Sequence, residues 1–143
     1  MKILAVDYGD TRTGLAMCDS MELLASPLGV ITEKSLNKTA DKIAIAATEQ
    51  GAKMVVVGLP LNMDGSEGER AETCKRVAAM LREALPDMPV EMWDERSTTK
   101  TAIMYMNETD TRGKKRKQTI DAAAAAIILD SFLAYRANHK NEK

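Results

Sequence analysis

The sequence predicts an α/β protein built on one five-stranded mixed sheet, in which three antiparallel strands are extended by two parallel ones. The amino-terminal part carries three short apolar runs separated by turn-like segments, a pattern typical of antiparallel strands. The rest alternates short apolar runs with stretches of helical period, which favours parallel strands joined by right-handed crossovers. With 143 residues, 45% of them hydrophobic, the chain suits a single domain spanning residues 1–143.

The antiparallel part begins with a predicted β-hairpin. Lys2–Val6 and Gly14–Met17 are apolar runs, and residues 8–13 between them have the composition of a turn. Leu28–Thr32 predicts a third strand, with a weaker signal because Gly29 lies inside it.

The parallel part begins with a helix. Apolar residues recur at helical spacing from Leu36, and Gly51 is a typical stop. Met54–Val57 is wholly apolar, which predicts a strand buried on both faces. Ser66 and Glu69 have the spacing of a capping box and predict the start of a second helix.

The last part of the chain is predicted from shorter signals. Four elements follow in order: a strand at Val90–Trp93, a helix from residue 97 or 98 toward Met106, a mobile charged loop at Thr109–Thr119, and a helix from Ile120 to about Ala137. The loop is predicted because this stretch has no apolar residue and many basic ones.

Composition excludes several classes of function. The net charge of −1 provides no general attraction to nucleic acid, so any such binding must be local. The single histidine, His139, lies near the end of the chain, which argues against Ser-His-Asp or Cys-His catalysis and against histidine-based zinc sites. One Trp, three Tyr and one Phe are too few for a base-stacking platform. The remaining enzyme mechanisms depend on carboxylates.

Cysteine usage and apolar runs indicate the compartment. Cys18 and Cys74 form no C-x-x-C motif and are expected to be reduced thiols. The longest strictly apolar run, Ala122–Leu129, is too short to span a membrane. We therefore expect a cytoplasmic protein that has no membrane partner.

Acidic residues lie where the parallel strands are expected to end. Asp7 follows the first strand, the pair Asp94 and Glu95 follows the last, and Asp121 lies in the first turn of the final helix. The carboxyl ends of parallel strands share one edge of a sheet, and an all-oxygen set of ligands suits Mg²⁺ or Mn²⁺. Each acid taken alone could instead be structural, as a turn acceptor, an arginine partner or a helix-start residue. Strand alternation should point Asp94 away if Glu95 points inward.

Basic residues near these acids could bind phosphate. Arg12 could hold a phosphate in bidentate fashion or be a solvated turn residue, and Arg96 could do so or hold its own loop. A basic run precedes Asp121 and is either a local phosphate clamp or a solvated segment. It consists of Arg112, Lys114, Lys115, Arg116 and Lys117.

Four segments resemble motifs of the YqgF (RuvX) family, bacterial nucleases that are similar to Holliday-junction resolvases within the ribonuclease H superfamily. They are Asp7–Gly14, Val57–Ser66, Asp94–Thr99 and Ile120–Leu129, in the family's order and spacing. Thr13 replaces a usual aliphatic residue and Ser97 a common leucine, and neither change touches the acids.

The resemblance implies a ribonuclease H-like fold and an activity. Asp7, Glu95 and Asp121 would hold Mg²⁺ or Mn²⁺ for hydrolysis of phosphodiester bonds. The implied substrate is structured RNA at the 5′ end of pre-16S rRNA, with the small ribosomal subunit precursor as a partner. The alternative is branched DNA, whose symmetric cleavage requires a two-fold dimer. The sequence leaves the oligomeric state open.

Two further alternatives come from other classes. Asp7, Gly9 and Thr11 also fit the phosphate loop of actin-type ATPases and sugar kinases, but 143 residues provide one lobe of the two that such proteins need. A non-catalytic nucleic-acid-binding module of the same fold would not need all three acids.

Overall fold

The computed structural model describes residues 1–98 and 113–139. The strands are β1 (Ile3–Asp7), β2 (Arg12–Cys18), β3 (Ala25–Thr32), β4 (Met54–Leu59) and β5 (Val90–Asp94). The helices are α1 (Leu36–Glu49), α2 (Glu69–Ala84) and α3 (Gly113–His139), and a 3-10 turn covers Glu95–Thr98.

The five strands form one mixed sheet in the order β3-β2-β1-β4-β5. Strands β1, β2 and β3 are antiparallel, whereas β4 runs parallel to both β1 and β5. The predicted sheet is confirmed. As a result Asp7 and Asp94 end two strands at the same edge, one on each side of the end of β4.

Two apolar layers cover the sheet because side chains alternate along each strand. Leu4 and Val6 of β1 pack in a cluster with Ile43 of α1 and Val77 of α2. Ile3 and Ala5 face the other way and pack in a second cluster formed largely by α3. Asp7 continues the second series, so alternation turns its carboxyl group toward the side of the sheet that α3 covers.

Helix α1 and strand β3 show how well local signals worked. Ser35 caps α1 through its hydroxyl, which accepts from the Lys38 amide, and Gly51 adopts a left-handed φ of 72° after the helix. Strand β3 begins three residues earlier than predicted, at Ala25, because it pairs with β2 as far as Cys18.

Three predictions after β4 need correction. Ser66 does not cap α2: Gly68 does, because the Ser66 amide and hydroxyl both donate to Asp64 in a tight turn. Residues 113–119 are helical and not a loop, since Lys, Arg and Gln favour helices even without an apolar face. Residues 95–98 form the 3-10 turn, and the predicted helix beyond residue 98 lies outside the described residues, as do residues 109–112.

Helix α3 is buried more broadly than a single stripe predicts. The helical period predicts burial of Ala124, Ile127, Ile128 and Ser131. Ile127 and Ile128 are buried, whereas Ala124 and Ser131 are partly exposed. Within the described ranges, no helix is both long and apolar enough to cross a membrane.

Candidate active site

Asp7 and Glu95 form a pair of carboxyl groups at the edge where β1, β4 and β5 end. The two side chains are in hydrogen-bond contact. Gly58 at the end of β4 makes room for Glu95, because a Cβ at position 58 would lie 3.0 Å from the Glu95 carboxyl carbon and 2.8 Å from Ile128 Cδ1. The pair therefore depends on the absence of a side chain on the strand between them.

Both members of this acid pair have raised pKa values. Burial, together with the negative charges of Glu95 and Asp121, raises the pKa of Asp7 from 3.8 to about 8. Burial also raises the pKa of Glu95 above its ordinary value, although the hydrogen bond with Asp7 partly opposes this. Two acids held this way would be stabilised by a neighbouring cation.

Asp121 reaches the same edge from α3 because Gly14 lets the helix approach. Gly14 lies opposite Asp7 in the pairing of β1 with β2, and a Cβ on it would lie 1.9 Å from the Asp121 carbonyl oxygen. The absence of a side chain at position 14 thus permits the close packing of α3 on β2. The Asp121 carboxylate accepts a hydrogen bond from Arg12 Nε at 3.0 Å, so Arg12 is ion-paired in this structure.

A groove of about 350 Å³ runs along Asp7, Arg12 and Asp121. It is lined by Asp7, Tyr8, Gly9, Asp10, Thr11, Arg12, Arg70 and Asp121. Arg70 was missed by sequence reasoning. Its Nη2 donates to the Tyr8 carbonyl oxygen at 2.9 Å, and its charge lowers the pKa values of Asp7 and Glu95. Its position was the available signal: a cation in the first turn of a helix that follows β4 falls at the carboxyl edge of the sheet.

Asp94 and Arg96 flank Glu95 and hold each other. The Arg96 guanidinium donates to both carboxylate oxygens of Asp94, and the Arg96 amide also donates to Asp94 Oδ1. Asp94 is therefore turned away from Asp7, as strand alternation indicated. The observed geometry of Arg96 is that of a residue that holds its own loop.

The described residues contain no group of three or more His, Cys, Asp or Glu side chains placed to hold one metal ion. In this structure the Asp121 carboxylate is paired with Arg12. The oxygen-only donors and raised pKa values of the Asp7 and Glu95 pair nevertheless fit a hard divalent cation. Lys114, Lys115, Arg116 and Lys117 lie in the first turns of α3, seven to four residues before Asp121, and their side chains lie outside the described part.

The fold and this edge define the class of protein. Thermus thermophilus RuvC in complex with a Holliday junction substrate has the same fold, with a TM-score of 0.62, 16% identity, and 96% of each chain covered. The fowlpox virus resolvase in complex with Holliday junction DNA gives 0.61 at 10% identity, with 94% of this chain and 98% of that chain covered. The fold of this chain is therefore ribonuclease H-like.

The family is shown by closer relatives. The model of the RuvX family, described as Holliday junction resolvase, matches residues 1–135, and the chain belongs to this family. It is 40% identical to a protein of Pelotomaculum thermopropionicum, over 99% of this chain and 92% of that protein. It is 41% identical to one of Bacillus cereus, over 93% and 98%. Both carry the name "Putative pre-16S rRNA nuclease".

Proposed function

We propose that this protein is a metal-dependent endonuclease that hydrolyses phosphodiester bonds, and that it processes the 5′ end of pre-16S rRNA in the cytoplasm. The observation that carries the proposal is the Asp7 and Glu95 pair, two carboxyl groups in hydrogen-bond contact at a sheet edge, with Asp121 close enough to add to their repulsion. The names of the full-length relatives support the choice of RNA.

Asp7, Glu95 and Asp121 would hold Mg²⁺ or Mn²⁺. A bound divalent ion would supply Lewis-acid stabilisation of the phosphate and would make a bound water more acidic than free water. The chain's own contribution is to hold the three acids in place: β1 positions Asp7, Gly58 makes room for Glu95, and Gly14 lets α3 approach at Asp121. Asp121 joins the other two acids when Arg12 releases it.

Arg12 and Arg70 have different tasks in this proposal. Arg12 is about one-third exposed in the groove, and its guanidinium could exchange the Asp121 carboxylate for a substrate phosphate, which it would bind with two hydrogen bonds. Arg70 is tied to the Tyr8 carbonyl oxygen, so it fixes the chain that follows Asp7. The basic residues at the start of α3 would bind phosphates farther along the strand and supply affinity.

The alternative substrate is a DNA four-way junction. The description of the matching family model as a Holliday junction resolvase favours it. Paired cleavage of a junction requires two active sites related by a two-fold axis. The single chain presents one such site, so the two substrates make different predictions about oligomeric state.

The deciding experiment compares 5′-extended pre-16S RNA with a matched four-way junction. The proteins are the wild type, Asp7→Asn and Asp41→Asn. The last is the control, because it makes the same aspartate-to-asparagine substitution on the exposed face of α1. We expect Mn²⁺-dependent RNA cleavage by the wild type and the control and none by Asp7→Asn. Symmetric junction cleavage by a dimer, with the RNA left intact, would transfer the function to DNA. Equal RNA cleavage by Asp7→Asn would refute the site.

A further inference from the structure

Met63 is presented at the edge of the candidate active site with almost no contact to the protein. It is 89% exposed, more than any other large hydrophobic residue in the described part. Its removal would therefore take little packing energy from the fold. The side chain is therefore available for contact with another molecule.

The turn that carries Met63 is held rigidly. Asn62 and Ser66 are joined by a backbone and a side-chain hydrogen bond, both of 2.9 Å, and Ser66 Oγ donates to Asp64 Oδ1 at 2.6 Å. Gly65 supplies the left-handed φ of 88° that closes the turn. Met63 is thus displayed by an ordered segment.

The same turn is linked to the acid pair. Arg96 Nη1 lies 3.5 Å from the Met63 carbonyl oxygen, and Arg96 is fixed by Asp94. Glu95 lies between these two residues in the chain. The turn that carries Met63 therefore contacts the loop that carries Glu95.

Aromatic side chains are the usual contacts to unstacked bases. The aromatic side chains of the described part are used elsewhere: Tyr8 is buried, and Trp93 packs between Phe132 and Tyr135. A methionine can do this work, because proteins insert apolar side chains between base steps and a thioether packs well on aromatic faces.

We infer that Met63 packs against a nucleobase next to the scissile phosphate and unstacks it from its neighbour. The inference rests on the proposed nuclease function. It assigns to the Asn62–Ser66 turn the task of separating two bases so that the phosphate between them can enter the groove. The contact is apolar and involves no exchange of ions.

The test uses RNA with 2-aminopurine beside the cleavage site, bound by proteins that carry Asp7→Asn so that the RNA stays intact. We expect the probe's fluorescence to rise on binding, and the rise to be lost with Met63→Ala and retained with Met63→Leu. Affinity should fall by about 2- to 10-fold with Met63→Ala. Its salt dependence should not change, because no phosphate contact is removed. Met21→Ala is the matched control, since Met21 is 69% exposed in the turn between β2 and β3.

The outcomes separate this inference from the proposed function. Suppose that the wild-type protein cleaves the RNA but Met63→Ala gives the same fluorescence rise and affinity. The inferred contact between Met63 and a nucleobase is then refuted, whereas the proposed nuclease function is not. If Met21→Ala lowers the signal as much as Met63→Ala, the effect is not local and the inference also fails. If the wild-type protein neither binds nor cleaves the RNA, both proposals fail.

Discussion

Strand β1 runs between two groups of charged residues that hold their carboxyl groups differently. At its carboxyl end, the acid pair of Asp7 and Glu95 faces desolvation and mutual repulsion, and the pKa of Asp7 rises to about 8. At its amino end lies the Glu22 cluster, formed by Glu22, Arg136 and the amino group of Met1. There the hydrogen bonds from Arg136 lower the pKa of Glu22 from 4.5 to about 2.

The Glu22 cluster is complete without any ligand. Glu22 accepts from Arg136 Nε at 2.6 Å and from the Met1 amino group at 3.0 Å, and its side chain is only 10% exposed. These contacts hold Glu22 at a φ of 59°, which is unusual for a residue with a side chain. They also join the carboxyl-terminal part of α3 to the start of β1. This end of the sheet is built for stability.

The two ends of β1 therefore differ in their electrostatics: repulsion and burial disfavour the charged acids at one end, and ion pairing favours the charged acid at the other. Both ends are bridged by β1 and α3, so the same elements that carry the stabilising Glu22 cluster also position Asp7 and Asp121. Carboxyl groups with raised pKa values in an otherwise stably packed fold are typical of functional sites.

Asp7→Asn gives the largest expected effect. Cleavage should fall by roughly 10³-fold or more, because a ligand and a charge are lost. Stability without metal should instead increase at neutral pH by roughly 1 to 3 kcal/mol, since an amide avoids the desolvation and repulsion. Cleavage rates and urea unfolding in EDTA measure the two effects. An unstable Asp7→Asn would contradict the comparison.

The extra stability of Asp7→Asn over the wild type should grow as pH rises. The pKa of Asp7 is about 8 in the folded chain and ordinarily 3.8, so folded protein keeps a proton that the unfolded chain releases. The wild type should lose stability relative to Asp7→Asn as pH rises from about 4 to about 8. Unfolding curves across this range check the trend, and parallel curves would show that Asp7 is not strained.

Gly14→Ala should damage both fold and site. A Cβ at position 14 cannot coexist with the Asp121 carbonyl oxygen at 1.9 Å, so α3 must move. We expect a loss of roughly 1 to 3 kcal/mol of stability and a loss of cleavage at temperatures where the protein remains folded. Gly29→Ala is the matched control, because a Cβ there meets no atom within 4 Å. Equal behaviour of the two variants would contradict the packing argument.

Glu22→Gln should affect stability alone. Breaking this largely buried pair should cost roughly 1 to 3 kcal/mol at neutral pH, with cleavage unchanged below the new melting temperature. Because the folded pKa is lowered, the contribution of Glu22 is present above about pH 4.5 and is lost as pH falls toward about 2. Wild type and Glu22→Gln should therefore converge in acid unfolding experiments. A constant difference down to pH 2 would be inconsistent with this pairing.

Replacing Lys114, Lys115, Arg116 and Lys117 together by Ala should have the mildest effect on chemistry. If the four side chains contact four phosphates, the log-log salt slope for single-stranded RNA should fall by about 3, with binding weakened for all sequences. Binding measured at several salt concentrations gives the slope. An unchanged slope would show that this basic run is only a solvated part of α3.

Local patterns predicted the frame of the molecule well. The strands, their mixed antiparallel and parallel arrangement and the α1 boundaries follow from hydrophobic period and turn residues. Ser66 misled because Asp64 competes for its hydroxyl, a choice that spacing alone does not reveal. The low hydrophobicity of the basic run before Asp121 predicts a loop, but residues 113–119 are helical.

Contacts distant in sequence were beyond prediction. Glu22 and Arg136 are 114 residues apart, and neither lies in a motif. The Arg12 and Asp121 ion pair, 109 residues apart, was also unforeseen although both residues were singled out. Such pairs depend on how α3 crosses the sheet, which the sequence pattern does not specify.

We propose that the acid pair and Asp121 together bind a divalent cation. The most direct measurement is titration with Mn²⁺ followed by electron paramagnetic resonance, comparing wild type, Asp7→Asn, Asp121→Asn and Glu22→Gln. We predict saturable binding to the wild type and to Glu22→Gln, and its loss or strong weakening in the other two. Undiminished Mn²⁺ binding by Asp7→Asn and Asp121→Asn would contradict the claim.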